Sequence, residues 1–263
     1  MSVSTMTTEQ FKEGVAYAED NFQNDDAPHL KIDKQLIREK FDLSGKRILD
    51  FGCGMGGMSL WYATNWDCQV YALDIDHHHI QIAEHLKAKH RAENVLFSQR
   101  NILEDHLGPD EKFDYAFLND VAEHIDYPIL TEVFKQLKNG LAPGGKIFVT
   151  YPPWRSPYAS HVTHVVKIPW CQFLPKPIIH QLIERNNVQI VGDRESTLLE
   201  AYYGLNQLTH KKLTTITQAC GLKATYRKSH CIFNKLPGLQ NTNINFFPLD
   251  FLVTKEFLLL ESA

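Results

Sequence analysis

Two groups of residues in this 263-residue chain have types and spacing that could do chemistry. The first is Ile48-Leu49-Asp50-Phe51-Gly52-Cys53-Gly54-Met55-Gly56-Gly57, in which Gly52, Gly54 and Gly57 fit the spacing G-x-G-x-x-G. Glycines where a strand turns into a helix let the backbone approach a ligand and let the helix start close to the sheet. Asp74 follows about twenty residues later at the end of a second apolar run, where a carboxylate can accept from ribose hydroxyls. This spacing suits more than one ribose-bearing cofactor, a nicotinamide dinucleotide among them.

The second group begins with Asp120-Val121-Ala122-Glu123-His124. An imidazole has an unperturbed pKa near 6.5, which suits it to take a proton at neutral pH, so His124 is a candidate base with Glu123 beside it. The stretch from Tyr151 to His164 adds His161 and His164, with Trp154 and Tyr158 as apolar walls and Pro152, Pro153 and Pro157 to stiffen the loop. The same stretch also reads as a surface loop with solvated histidines. His77, His78 and His79 open a helix and point in different directions, which makes them structural rather than a metal tract.

The elements that position these groups alternate. Helices are expected over 9–24 and 30–41, the second ended by Leu43-Ser44-Gly45. Strands are expected at 47–51, 70–73, 95–97, 113–118 and 146–151, with helices at 58–64, 77–90 and 129–138 between them. Asp76 is the N-cap of the helix that starts at His77, with Ile80, Ala83 and Leu86 inward. Leu141-Ala142-Pro143-Gly144-Gly145 is a turn. Five alternations imply an α/β, doubly wound parallel sheet, because parallel neighbours need crossover connections. The expected organisation is a single domain: N-terminal helices or lid over 1–44, a cofactor-binding core over 46–151, a substrate-side insertion over 152–206, and a closing helix and strands over 207–263. Residues 165–183 are apolar and broken by proline, which fits a lid or a homodimer contact better than a membrane surface, since basic residues are few.

Composition narrows the partners. Apolar residues at 43% and charged residues at 22% permit a sizeable core and exclude global disorder. A formal net charge of −4 is a poor balance for a nucleic-acid binder, which must neutralise phosphates. Five cysteines form no C-x-x-C pair, which fits a reducing compartment, and the polar start of the chain reads as no secretory signal. No apolar run approaches the roughly 20 residues of a membrane span. The expectation is a cytoplasmic protein.

The segments ILDFGCGMGG (48–57), VYALDID (70–76), FDYAFLNDVAEHI (113–125) and LAPGGKIFVTYP (141–152) resemble the class I S-adenosylmethionine-dependent methyltransferases. The resemblance implies their seven-stranded Rossmann-like sheet with a final antiparallel strand, and a small-molecule acceptor methylated by direct displacement at O, N or C, with O or N preferred. It assigns S-adenosylmethionine to Asp50, Gly52, Cys53, Gly54 and Gly56, with Asp50 reaching the ammonium and exposed loop amides the carboxylate. Asp74 corresponds to the ribose acid, Ile75 flanks the adenine, Asn101 and Ile102 sit near the adenine ring, and Asn119 and Asp120 meet the methionine end and the acceptor. His79 lies near the adenine. Asp120-x-x-Glu123-His124 is similar to the pattern of quinone-biosynthesis O-methyltransferases, some of which hold a divalent cation on the two carboxylates and the histidine. The same Glu-His also occurs as a positioned helix start without metal. A nicotinamide oxidoreductase and a non-catalytic binder of S-adenosylmethionine are the alternatives.

Overall fold

The structure, a computed structural model, describes residues 6–186, 191, 197–239, 242–244 and 246–263. Along the chain the regular elements are α1 (Thr8–Gln23), α2 (Lys31–Lys40), β1 (Arg47–Phe51), α3 (Gly57–Asn65), β2 (Gln69–Asp74), α4 (His77–His90), β3 (Val95–Gln99), β4 (Phe113–Asn119), α5 (Tyr127–Asn139), β5 (Leu141–Tyr151), α6 (Thr163–Val166), α7 (Lys176–Arg185), α8 (Leu198–Gly204), α9 (His210–Ala219), β6 (Leu222–Cys231) and β7 (Val253–Ser262). The strands form a seven-stranded mixed sheet in the order β3-β2-β1-β4-β5-β7-β6. This is the expected α/β architecture, with β1 parallel to β2 and β4, β2 parallel to β3, and β7 antiparallel to both β5 and β6. The chain packs as two compact units. One comprises Met1–Phe117, Asn139–Gly145 and Val191–Arg194, and the other Leu118–Lys138, Lys146–Ile190 and Glu195–Ala263.

In the first unit, β1 buries Ile48, Leu49 and Asp50, and α3 is buried from Gly57 to Ala63. A helix so enclosed must start without side chains in the way. A Cβ on Gly57 would stand 2.7 Å from the Ala18 carbonyl oxygen and from Asn21 Cβ of α1. Gly56 is bound twice over: its φ of +82° is left-handed, and a Cβ there would stand 2.7 Å from Phe97 Cζ and 2.8 Å from Ala83 Cβ. Gly56→Ala is therefore expected to destabilise the protein by about 2–4 kcal/mol, from left-handed strain and overpacking together. A urea midpoint unchanged from the wild type would show that the α3 start relaxes freely.

Three local expectations need correction. Helix α2 ends at Lys40 with Phe41 extended, so Gly45 is no helix terminator; at φ +70° it makes the turn into β1, its N–H donating to Asp67 O at 2.5 Å. On α4 the Asp76 cap is as expected, its carboxylate accepting from His79 N at 3.0 Å, but the buried face is His78, Ile82, Ala83 and Leu86, and Ile80 is only half-buried. The Ala142–Gly145 turn is present, with Pro143 followed by Gly144 at φ +77°, the arrangement of a type II turn, yet β5 is continuous through it from Leu141.

In the second unit, β5 pairs with β7 from Ile147↔Leu260 to Tyr151↔Glu256. The stretch after β5 is packed rather than a surface loop. Ser156, Ser160 and Val162 are fully buried, and Gln172 Nε2 donates to the carbonyls of Trp154 and Ser156 at 3.0 and 2.8 Å. A small core of Val162, Cys171, Ile179, Ile183 and Leu198 holds α6, α7 and α8 to it. Among the described residues no helix is long and apolar enough to cross a membrane.

Candidate active site

The glycine loop and the end of β2 form a closed unit of hydrogen bonds in the first compact unit. Gly52 and Cys53 N–H groups both donate to Leu73 O, Gly56 N–H donates to Cys53 O, and Gly54 N–H donates to Asp74 Oδ2 at 2.8 Å. The expectation of exposed amides at Gly52, Cys53, Gly54 and Gly56 is thus not met; they organise the loop. Asp74 Oδ1 accepts from Asp76 N at 2.9 Å. Each carboxylate oxygen carries two lone pairs, so each keeps capacity for a ribose hydroxyl. Gly54 has φ +53° and nothing within 4 Å of where a Cβ would stand, so the loop opens onto free space beside that carboxylate. Ile75, next in sequence, is 41% exposed, unusual for an isoleucine and suited to an aromatic ring.

Asp50 lies under this loop at the end of β1, 2% exposed, accepting from Ser59 Oγ at 2.6 Å. Burial pushes its carboxyl up to about 7, against the lowering effect of the Ser59 bond and with the Asp74 charge adding to the rise. Such an acid favours a cation beside it. His79 is the reverse case. Burial would depress it, but Asp74, with Oδ1 3.7 Å from Nδ1, together with Asp76 and the Val191 carbonyl on Nε2, raises it to about 9. It faces Asp74 as a charge partner, a role beyond the structural one expected from a helix start. Asn101 is occupied locally, donating to Glu104 Oε1 and accepting from Leu103 N, and Ile102 is 1% exposed, so its side chain belongs to the core.

The second unit holds the other group. Asn119 ends β4, and Asp120 follows with a left-handed φ of +54°, its N–H on Thr150 O and its Oδ2 2.7 Å from Lys255 Nζ. Glu123 and His124 sit on a single 3₁₀ turn, Ala122–His124. Asn206 clamps that turn: its N–H donates to Glu123 O, and its Nδ2 donates to Ala122 O and Ile125 O at 2.7 and 2.6 Å. His161 comes to the same place from the stretch after β5. Its Nε2 is 3.6 Å from Glu123 Oε1 and its ring meets that of His124 edge-on, centroids 4.9 Å apart. Burial lowers the pKa of His124. It lowers that of His161 to about 4, with the neighbouring His124 contributing. By surface area His124 is exposed, His161 partly buried and Glu123 buried. His164 is exposed on α6 and is not brought into the cluster.

Sequence reasoning missed Ser59, Lys255 and Asn206. Ser59 is one polar residue inside an apolar helix. Lys255 and Glu256 interrupt the apolar run of β7, a signal that was available: Glu256 Oε2 accepts from Tyr151 Oη at 2.7 Å and lies 3.1 Å from His210 Nδ1. Asn206 carries no local signal, since its partners lie about eighty residues earlier in the chain.

The sequence profile of the family described as methyltransferase domain matches residues 26–193. The chain belongs to the methyltransferase domain family. Of the ribose-bearing cofactors that the glycine spacing left open, this family fits S-adenosylmethionine. It is 33% identical over 127 residues to phosphoethanolamine N-methyltransferase 3 of Arabidopsis thaliana, and 30% identical over 144 residues to ribosomal RNA small subunit methyltransferase C of a Marinomonas strain. These alignments take in 46% and 48% of this chain but only 24% and 40% of those proteins, so the chain spans well under half the length of the curated relatives it matches. Its fold is similar to that of the CcbJ methyltransferase from Streptomyces caelestis, with a TM-score of 0.62 at 13% identity over 97% of this chain and 98% of that one. An S-adenosylmethionine-dependent methyltransferase from Clostridium acetobutylicum superposes with a TM-score of 0.58 at 13% identity, covering 96% and 99% of the two chains.

Proposed function

We propose that this protein transfers a methyl group from S-adenosylmethionine to a hydroxyl or amine of a small molecule, a secondary metabolite or a cofactor precursor. The observation that carries the cofactor half is the ribose-ready carboxylate of Asp74 beside the open space at Gly54, with the cation-seeking Asp50 beneath. S-adenosylmethionine supplies a methyl on a positively charged sulfur, which is already electrophilic. Alignment then does much of the work. Asp50 faces the ammonium, Asp74 accepts from the ribose hydroxyls and Ile75 covers the adenine. The Asn101-Ile102 backbone borders that ring. A pyrophosphate, by contrast, has no use for a carboxylate at Asp50.

On the acceptor side, Glu123, His124 and His161 form the centre that eases loss of the acceptor's proton. Both imidazoles are unprotonated at neutral pH because burial lowers them, so their nitrogen lone pairs are available. An amine acceptor has support from the relatives named for phosphoethanolamine, and a small molecule rather than RNA has support from the net charge of −4. The five free thiols, four of them buried, support a reducing compartment.

Calorimetry with S-adenosylmethionine, its demethylated product and NADH tests the cofactor. The first two should bind and NADH should not; NADH binding with silence toward the others would sink the reading. A panel of hydroxyl and amine acceptors, read by demethylated product, then separates an enzyme from a non-catalytic binder.

A further inference from the structure

One carboxylate oxygen of Glu123 and one ring nitrogen each of His124 and His161 all lie within 4.8 Å of one another. Donor atoms on a four-coordinate ion with bonds of about 2.0–2.2 Å are roughly 3.3–3.6 Å apart. The His161 Nε2 to Glu123 Oε1 separation of 3.6 Å already meets that spacing. The remaining pairs, within 4.8 Å, close with shifts of up to about 1.5 Å. We infer that Glu123, His124 and His161 bind one divalent transition-metal ion and leave it a coordination position for the oxygen or nitrogen of the acceptor.

Three features of the cluster support a built site. Two nitrogens and one oxygen are a donor set for zinc, cobalt or iron(II) rather than for magnesium or calcium. The ligands are fixed from behind: Glu123 and His124 by the three hydrogen bonds of Asn206, His161 by the packed stretch that Gln172 ties down. Finally, His161 and the nearby Asp120 both hold left-handed backbone, at φ +55° and +54°, a conformation that side-chain-bearing residues keep where function requires it.

The assignment departs from the quinone-type pattern, in which both carboxylates and one histidine serve. Here Asp120 is held by Lys255 Nζ at 2.7 Å, a neutral pair, and a second histidine from the stretch after β5 takes its place. Glu123 then supplies the one ligand charge and the imidazoles supply none. The ion itself rests on this cluster alone; its use in lowering the pKa of a bound acceptor rests on the methyltransferase reading.

The test is titration of the chelator-treated 263-residue chain with Zn²⁺ by calorimetry and with Co²⁺ by visible absorption. One ion per chain is expected, with the intense bands of a four- or five-coordinate cobalt site. His124→Gln and His161→Gln should each weaken binding by at least roughly 10–100-fold, the loss already seen when only an outer partner of a ligand is removed. His180→Gln, on the exposed face of α7, should bind as the wild type does. Binding that none of the ligand variants changes, or wild type that takes up no stoichiometric ion, overturns the assignment. If the variants do not fold, the wild-type cobalt protein decides, because two paramagnetically shifted imidazole N–H signals are expected and none or one refutes it. S-adenosylmethionine binding measured on the same samples separates the two ideas: its absence with the metal site intact sinks the methyltransferase reading and leaves the ion standing.

Discussion

His124→Ala is expected to lower turnover by roughly 10²–10⁴-fold, the usual contribution of a group that assists proton removal in the transition state. The dissociation constant for S-adenosylmethionine should stay within about twofold, because Asp50 and Asp74, which the proposed function places at the cofactor, are untouched. The split between the two quantities is the content of the prediction. Loss in acceptor KM with kcat preserved would mean that His124 only positions the acceptor. The pH profile gives a second reading. Since burial places the His124 pKa below its ordinary value, the imidazole is already unprotonated at neutral pH, and the rate should hold level toward mild acid before it falls. A rate that rises with pH through 7 and follows a group above the ordinary histidine range would contradict this. Chelation that mimics the substitution would assign the loss to the ion held by the cluster, and chelation without effect would assign it to the imidazole as base. Full activity of His124→Ala at saturating acceptor would remove the cluster from catalysis altogether.

Much of the fold was legible because the determinants are local. Val70 to Leu73 and Phe113 to Leu118 are apolar runs bounded by turn residues, and Asp76 three residues before His79 is a helix start that needs no tertiary partner. The parts of the candidate cofactor site share that locality, since Asp50, the glycines and Asp74 lie within one strand–helix–strand span. What was misjudged is what depends on packing. Gly45 looks like a helix terminator in sequence, but α2 ends before it, and only the pairing of its N–H with Asp67 O shows its use. The glycine loop suggested free amides, whereas the Leu73 carbonyl and the Asp74 carboxylate take them, because buried backbone donors find the nearest acceptor whether or not a ligand is bound. The stretch from Trp154 to His161 had the composition of a loop, and its packing shows in the buried Ser156 and Ser160 and in the bonds of Gln172, brought back by the 3₁₀ turn at Cys171–Phe173. His161 and His164 are both histidines three residues apart; the left-handed backbone at His161 sends one to Glu123 and leaves the other exposed on α6.

The affinity for S-adenosylmethionine should fall as pH drops below about 7, by up to roughly tenfold per pH unit, and Asp50 should be the cause. In the free protein burial raises this carboxyl to about 7, so it is about half protonated there. An ammonium beside it favours the carboxylate and lowers its pKa in the complex. Binding near neutral pH therefore releases a fraction of a proton, about half of one at pH 7, and this appears as a dependence of the calorimetric heat on the ionisation enthalpy of the buffer. Above pH 7 the acid is already ionised and the affinity levels off. The free protein should move the opposite way through the same group. Its folded-state pKa exceeds the unfolded value near 3.9, so the folded form binds the extra proton, and Asp50 contributes more favourably to stability as pH falls from 7 toward 4. Asp50→Asn removes the charge but keeps the shape and the Ser59 contact. It should weaken binding at pH 8 by roughly 10–150-fold, the worth of one hydrogen bond to a charged group, and flatten the pH dependence. An Asp50→Asn protein that binds as tightly as the wild type at pH 8, or a wild type whose affinity is level from pH 8 to pH 5, would mean that the ammonium lies elsewhere and that Asp50 serves only to anchor Ser59 and the start of α3.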